Sequence, residues 1–104
     1  GWEPPRPELD TSDSWQRVMI GQAVANCMPL AAANRVGDEG GQRFYGRSFI
    51  CDHRGETLAE LGQRKPGVIT ARIDLDEARR FRGWFGLIEG RRPELYGILS
   101  RSRR

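Results

Sequence analysis

The sequence is poor in the residues that most often carry catalysis or bind metals. Its 104 residues include one histidine, His53, one lysine, Lys65, and two cysteines, Cys27 and Cys51. The cysteines do not form a C-x-x-C motif, so the sequence predicts neither a zinc site nor any other metal or cofactor site. Two widely separated thiols without a visible secretion signal predict reduced core residues rather than a disulfide.

Long apolar runs and a strong charge imbalance are also missing. No apolar run approaches the roughly 20 residues that a membrane-spanning helix needs, so we expect no membrane partner and a cytoplasmic location. The net charge of +3 comes from 17 basic and 14 acidic residues. Arg101, Arg103 and Arg104 account for all of it, and the body of the chain is neutral. A nucleic-acid partner is therefore not expected, because such proteins show a basic surface on the folded body.

The clearest structural pattern lies between Asp13 and Gly37. Helical spacing places a set of apolar residues on one face: Trp15, Val18, Met19, Ala23 and Cys27. Thr11 and Ser12 are candidate N-caps, and we expect Pro29 to end the helix. The run from Leu30 to Ala33 predicts a strand that is apolar on both faces and therefore needs a layer on each side. A helix that leads into such a strand predicts a layered α/β protein.

The following residues predict a hairpin. Gln42–Cys51 is rich in aromatic and apolar residues, and Gly46 within it suggests a bulge or a close backbone approach. Asp52 to Gly55 has the composition of a type I turn, which would leave His53 exposed to solvent. Residues 56–61 then predict the return strand.

The last third of the chain predicts one more strand and one more helix. Apolar and polar residues alternate from Val68 to Ile73, as in a strand with one buried face. Asp74 and Glu77 have capping-box spacing at the start of a helix that continues to about Phe85. We expect three arginines to form its solvated face: Arg79, Arg80 and Arg82. Residues 86–104 predict a C-terminal arm.

Several segments in this order resemble a known family. They are Ala25-Asn26, Ala33 to Gly37, Phe44 to Ile50, Gly55-Glu56 and Arg91 to Tyr96. Together they resemble the second half of a nitrilase-superfamily carbon–nitrogen hydrolase, with the greatest similarity to the N-carbamoylputrescine amidases. The resemblance implies that residues 1–104 are the C-terminal portion of one domain. It also implies a partial α-β-β-α sandwich, mostly one sheet with its helices, and a homo-oligomer.

The resemblance implies that the catalytic residues lie outside this chain. Enzymes of this type use a nucleophilic cysteine, a glutamate base and a lysine that stabilises the tetrahedral anion. In the family all three precede the segment matched here. No catalytic residue is therefore assigned, and the 104-residue chain by itself is predicted to be inactive. The parent enzyme would hydrolyse a small carbamoyl amine in polyamine biosynthesis.

A substrate-binding role is implied for Glu3 and Trp2. The segment Gly1-Trp2-Glu3-Pro4 is similar to a family segment whose glutamate faces the cationic end of the substrate. An anion in a confined site selects an ammonium group and rejects a carboxylate. Trp2 departs from the small residue often found there. Two alternatives stay open: another nitrilase-branch amidase, or a non-catalytic interaction module.

Overall fold

The chain folds into short antiparallel strands and two α-helices, and a computed structural model describes residues 2–4, 7–85, 90 and 92–97. Two 3-10 turns, Pro7–Leu9 and Pro93–Leu95, flank the main elements. The helices and strands are, in chain order, β1 (Trp2–Glu3), α1 (Ser12–Asn26), β2 (Leu30–Ala32), β3 (Val36–Glu39), β4 (Gln42–Tyr45), β5 (Phe49–Cys51), β6 (Thr57–Glu60) and α2 (Leu75–Phe85). The layered α/β prediction is confirmed.

Helix α1 begins and ends close to its predicted bounds, but the groups that cap its two ends differ from those predicted. Thr11 occupies the N-cap position without a side-chain capping bond. The carboxylate of Asp10 instead accepts a hydrogen bond from the Ser12 amide at 2.9 Å. At the other end Cys27 adopts the left-handed conformation, with φ of 50°. The Met28 amide donates to the Ala23 carbonyl oxygen at 3.0 Å, so a Schellman motif ends the helix before Pro29 is reached.

The predicted apolar face of α1 is wrong for one residue. Val18 is 59% exposed, whereas Trp15, Met19 and Ala23 pack toward the core. Each residue advances about 100° around a helix. Trp15, Met19 and Ala23 follow at intervals of four residues, so each lies further around the helix from Val18 than the one before. Ile20 completes the buried face in place of Val18.

One long hairpin connects the two sheets. Leu30 pairs with Cys51 in β2 and β5, and Val36 pairs with Tyr45 in β3 and β4. Val36 lies six residues after Leu30, and Tyr45 lies six residues before Cys51, so the register of strand pairing is the same in both halves of the hairpin. Gly40 and Gly41, with φ of 56° and 83°, form its two-residue turn. Positive φ at both positions suits the right-handed twist of the flanking strands.

The hairpin is interrupted in the middle, so the strands form two sheets of three where mostly one was expected. The sheet orders are β1-β4-β3 and β2-β5-β6. At the interruption Gly46 and Arg47 both have positive φ, 67° and 62°. A Cβ on Gly46 would lie 3.1 Å from the Cβ of Val36. The close approach expected at Gly46 is therefore confirmed, and it ends β4 before β5 begins.

The β2-β5-β6 sheet is covered by α1 on one side only. Phe49 and Cys51 are buried against Ala23, with Leu30 and Ala32 packed around them. Ala31 and Ala33, on the opposite side, are exposed among the described residues. Of the two layers that the Leu30–Ala33 strand was predicted to need, the described residues therefore supply one.

The turn after β5 is confirmed, but the exposure predicted for its histidine is wrong. The Gly55 amide donates to the Asp52 carbonyl oxygen at 3.0 Å, as a type I turn requires. His53 is only 5% exposed. Helix α2 folds over the turn and places the Phe81 ring edge-on to the imidazole, with centroids 5.2 Å apart.

Residues 68–73 do not form the predicted strand. They have no ladder partner in the described part of the chain, and Val68 is 91% exposed. Ile69 and Ala71 are half-buried, so the alternation of faces is retained as far as Ala71, whereas Ile73 is 40% exposed. A period of two selects an extended backbone, but a strand also needs a neighbouring edge with which to pair.

Helix α2 has the predicted cap and one unexpected arginine contact. The Asp74 carboxylate accepts a hydrogen bond from the Glu77 amide at 3.0 Å. Arg79 and Arg80 are exposed as expected. Arg82 instead donates from Nε to the Asn26 carbonyl oxygen at 3.1 Å, which joins the two helices. The predicted arm falls largely on residues 86–89, 91 and 98–104, which lie outside the described residues.

Candidate functional site

The two predicted substrate-binding residues lie on β1, at the edge of the β1-β4-β3 sheet. Trp2 pairs with Phe44 and Glu3 pairs with Arg43. An open depression of about 470 Å³ borders this edge. Its lining residues come from three segments: Trp2, Glu3, Pro4, Asp38, Gly41, Gln42 and Arg43. We call it the Glu3 depression.

Glu3 is the more enclosed of the two. Its side chain is 20% exposed, whereas Trp2 is 49% exposed. Pairing with β4 holds the short β1 strand in place, because an isolated two-residue strand has too few hydrogen bonds of its own. The structure therefore places both residues at one depression, with Glu3 half-buried and Trp2 exposed.

Two arginines flank the Glu3 carboxylate. Arg43 Nη1 lies 3.9 Å from Glu3 Oε2, and Arg64 Nη1 lies 3.5 Å from Glu3 Oε1. Arg43 also contacts Asp38, with 3.2 Å between Nε and Oδ1. Two carboxylates and two guanidinium groups therefore form one cluster without net charge, which we call the Glu3 cluster.

Sequence reasoning missed the arginines of this cluster. Arg64 lies 61 positions from Glu3 in the chain, and Arg43 reaches it only through strand pairing. The one available signal was a charged residue within the predicted strand Gln42–Cys51. That signal identifies an exposed position, but it does not identify the partner opposite.

Neither cysteine has the environment of a nucleophile. Cys27 and Cys51 are both free and buried. Burial raises the pKa of the Cys51 thiol, a hydrogen bond from the Leu30 backbone lowers it, and the nearby Asp52 carboxylate raises it. A thiol is reactive as its thiolate, so Cys51 is held in its unreactive form. The Cys27 thiol donates to the Val24 carbonyl oxygen at 3.6 Å.

The other polar groups considered are Lys65 and the possible metal ligands of the described residues. Lys65 is exposed and borders a separate small depression beside Asn34 and Ser48. In the described ranges no three histidine, cysteine or acidic side chains come together as a metal site would require. Neither described helix is both long and apolar enough to cross a membrane.

The chain matches one family model and several known proteins. The carbon–nitrogen hydrolase model matches residues 4–83. A citrullinase from Francisella tularensis is 41% identical, across 97% of this chain and 37% of that protein. An N-carbamoylputrescine amidase from Solanum tuberosum is 42% identical, across 95% of this chain and 36% of that protein.

A solved structure has the same arrangement of elements. The carbon–nitrogen hydrolase of Helicobacter pylori superposes on the whole chain with a TM-score of 0.88 and 30% identity. This chain covers 39% of that structure. The chain therefore spans well under half the length of the proteins that it matches.

Proposed function

The chain belongs to the carbon–nitrogen hydrolase family, and on that basis we propose that it is part of an amidase that removes a carbamoyl group from a small amine. We propose further that residues 1–104 are the C-terminal portion of one catalytic domain, in a cytoplasmic, homo-oligomeric enzyme. The leading candidate substrate is N-carbamoylputrescine, which would place the enzyme in polyamine biosynthesis.

The proposed reaction is hydrolysis of a carbamoyl amide. Water adds to the carbamoyl carbon and its C–N bond to the amine breaks; the products are the free amine, ammonia and carbon dioxide. The nucleophile, base and lysine used by this class of enzyme are proposed to lie in the rest of the domain. The contribution of this chain would be recognition of the substrate's far end.

Glu3 is the observation that carries the proposal. Its side chain is four-fifths enclosed beside an open depression. A partly desolvated anion attracts an ammonium group more strongly than an exposed one does, because the surrounding water screens it less. Both named relatives fit this chemistry, since citrulline and N-carbamoylputrescine each carry a carbamoyl group at one end and an amine at the other.

The test is ammonia release from N-carbamoylputrescine by the purified full-length protein. We expect turnover, and we expect Glu3→Gln to raise KM for this substrate by about tenfold or more, because one charge-assisted contact is worth roughly 1.5–3 kcal/mol. An uncharged N-carbamoyl alkylamine of similar length is the control substrate, and Glu3→Gln should raise its KM much less.

Two results would redirect the proposal. Equal effects of Glu3→Gln on the charged and uncharged substrates would remove Glu3 from the binding site. Turnover of other amides without turnover of either carbamoyl substrate would favour a different amidase of the nitrilase branch. A folded protein without any amidase activity would favour the interaction module.

A further inference from the structure

We infer that Arg64 is a displaceable counter-ion, which holds the Glu3 carboxylate while the site is empty and moves to Asp38 when a substrate ammonium group binds Glu3. Arg64 is then a specificity-determining residue, because only a cationic substrate can replace the charge that it withdraws. The inference rests on the proposed function, since it concerns the same carboxylate. It adds a residue and an exchange of ion pairs that the proposed function does not contain.

The contact between Arg64 and Glu3 spans both carboxylate oxygens but is long. Arg64 Nη1 lies 3.5 Å from Oε1 and 3.5 Å from Oε2. Charge-assisted hydrogen bonds from nitrogen to a carboxylate are usually about 2.7–2.9 Å. The Arg64 side chain is 61% exposed, so water screens this pair strongly. A substrate ammonium that enters the Glu3 depression can therefore take this position at little cost.

Of the two arginines beside Glu3, Arg64 is the one that can leave. Arg43 lies on β4 directly opposite Glu3, and its Nε contacts Asp38 Oδ1 at 3.2 Å. Arg64 lies in the irregular segment between β6 and α2. In the described part of the chain Glu3 is its one charged partner. Loss of that contact therefore frees Arg64, whereas Arg43 stays on Asp38.

The backbone next to Arg64 is held, so the exchange needs only a movement of the side chain. The Leu61 amide donates to the Ser48 carbonyl oxygen at 2.8 Å, and the Gly62 carbonyl oxygen accepts from the Arg47 amide at 3.4 Å. Rotation of an exposed side chain between rotamers takes picoseconds to nanoseconds. The guanidinium can therefore change partner much faster than an enzyme turns over.

Asp38 offers the displaced guanidinium a second carboxylate. Asp38 and Arg64 border one small hollow of about 70 Å³, which adjoins the Glu3 depression. Asp38 is 65% exposed and contacts Arg43 through Oδ1, and an ionised carboxylate accepts at both of its oxygens. After the exchange the ammonium lies on Glu3 and both guanidinium groups lie toward Asp38, which separates the like charges. An uncharged substrate supplies no cation, so Arg64 stays on Glu3.

The test is the KM of the full-length protein for N-carbamoylputrescine and for an uncharged N-carbamoyl alkylamine of similar length. Arg64→Gln should lower KM for N-carbamoylputrescine about two- to fivefold, because the ammonium no longer competes with a guanidinium. It should leave kcat and the KM of the uncharged substrate unchanged. Arg64→Lys keeps the charge and should return KM toward the wild-type value. Arg79→Gln removes an equal charge from an exposed position on α2 and should change neither KM.

A double-mutant cycle tests the role of Asp38. Asp38→Asn should raise KM for N-carbamoylputrescine about two- to fivefold, because the displaced guanidinium loses its second partner. In the Arg64→Gln protein the same substitution should have little effect, since there is no guanidinium to receive. An equal effect in both backgrounds would overturn the exchange of partners.

The outcomes separate this inference from the proposed function. If a folded Arg64→Gln protein has an unchanged or raised KM for N-carbamoylputrescine, the inference is overturned and the proposed function stands. If the full-length protein hydrolyses neither substrate, the proposed function fails, and calorimetry with putrescine still tests the site. Tighter binding of putrescine by Arg64→Gln than by the wild-type and Arg79→Gln proteins would support the inference. Equal binding, or no binding, would overturn it.

Discussion

Asn34 and Ser48 are joined by two hydrogen bonds at the interruption of the long hairpin. The Asn34 amide donates to Ser48 Oγ at 2.8 Å, and the Ser48 hydroxyl donates to the Asn34 carbonyl oxygen at 3.2 Å. The Asn34 side-chain amide also donates to the Gly46 carbonyl oxygen at 2.8 Å. Side chains here replace the ladder bonds that the backbone cannot form, since Gly46 and Arg47 adopt positive φ.

The first prediction follows from this pair. Ser48→Ala should lower the free energy of unfolding of the full-length protein by about 1–3 kcal/mol, because it removes both hydrogen bonds of the Ser48 hydroxyl. Urea denaturation measures the change. Ser14→Ala, at an exposed position on α1, is the control and should stay within about 0.5 kcal/mol. A Ser48→Ala protein as stable as this control would show that water replaces the hydroxyl.

The second prediction concerns Arg47, which joins the interruption to helix α1. Its side chain is 17% exposed. It donates to Gln16 Oε1 at 2.8 Å and to Ser12 Oγ at 3.3 Å, and it pairs with Asp13. Arg47→Met should lower the free energy of unfolding by about 1–3 kcal/mol, because the buried Ser12 and the half-buried Gln16 lose a charged donor.

The control for Arg47 is an arginine whose contact lies in solvent. Arg79→Met removes a pair with Asp76 in which both side chains are about three-quarters exposed. Such surface pairs contribute about 0–1 kcal/mol. Equal midpoints of urea denaturation for the two variants would mean that Arg47 does not hold the helix to the hairpin.

The third prediction concerns pH. Burial raises the pKa of Cys51 above its ordinary value of 9.0, so above that pH the unfolded chain ionises this thiol before the folded chain does. Its contribution to stability is therefore complete below about pH 9 and is lost as the pH rises through the folded pKa. The free energy of unfolding should therefore fall as the pH rises above about 9, and Cys51→Ala should reduce the fall. An equal fall in both proteins would contradict the prediction.

The fourth prediction is that the isolated 104-residue chain does not hydrolyse carbamoyl amides. Both of its thiols are buried, and its single lysine is exposed and distant in sequence from both. Ammonia release by the purified chain should equal the buffer blank, while the full-length protein is active in the same assay. Activity of the isolated chain that Cys27→Ala or Cys51→Ala abolishes would overturn the prediction.

The fifth prediction is that the isolated chain associates in solution. The side of the β2-β5-β6 sheet opposite α1 carries the exposed Ala31 and Ala33, and the exposed Val68 borders the same depression. Trp84 on α2 is 80% exposed. Exposed apolar surface and open strand edges promote contact between chains. Sedimentation at micromolar concentration should show species larger than a monomer. A single sharp monomer with cooperative thermal unfolding would favour the self-contained module.

The sequence by itself determined the features that depend on neighbouring residues. The bounds of α1, the cap of α2 at Asp74 and the turn at Asp52 all follow from short-range backbone and side-chain preferences. The family resemblance, which rests on ordered local segments, is confirmed by the family model. The substrate role of Glu3 and Trp2 stays a prediction.

Only the tertiary structure decided the features that join distant parts of the chain. His53 is buried because α2 folds over its turn, and residues 68–73 form no ladder with any described strand. Glu3 acquires Arg43 by strand pairing and Arg64 across 61 positions. The pattern along a chain specifies which face a residue prefers, whereas its partner depends on how the whole chain packs.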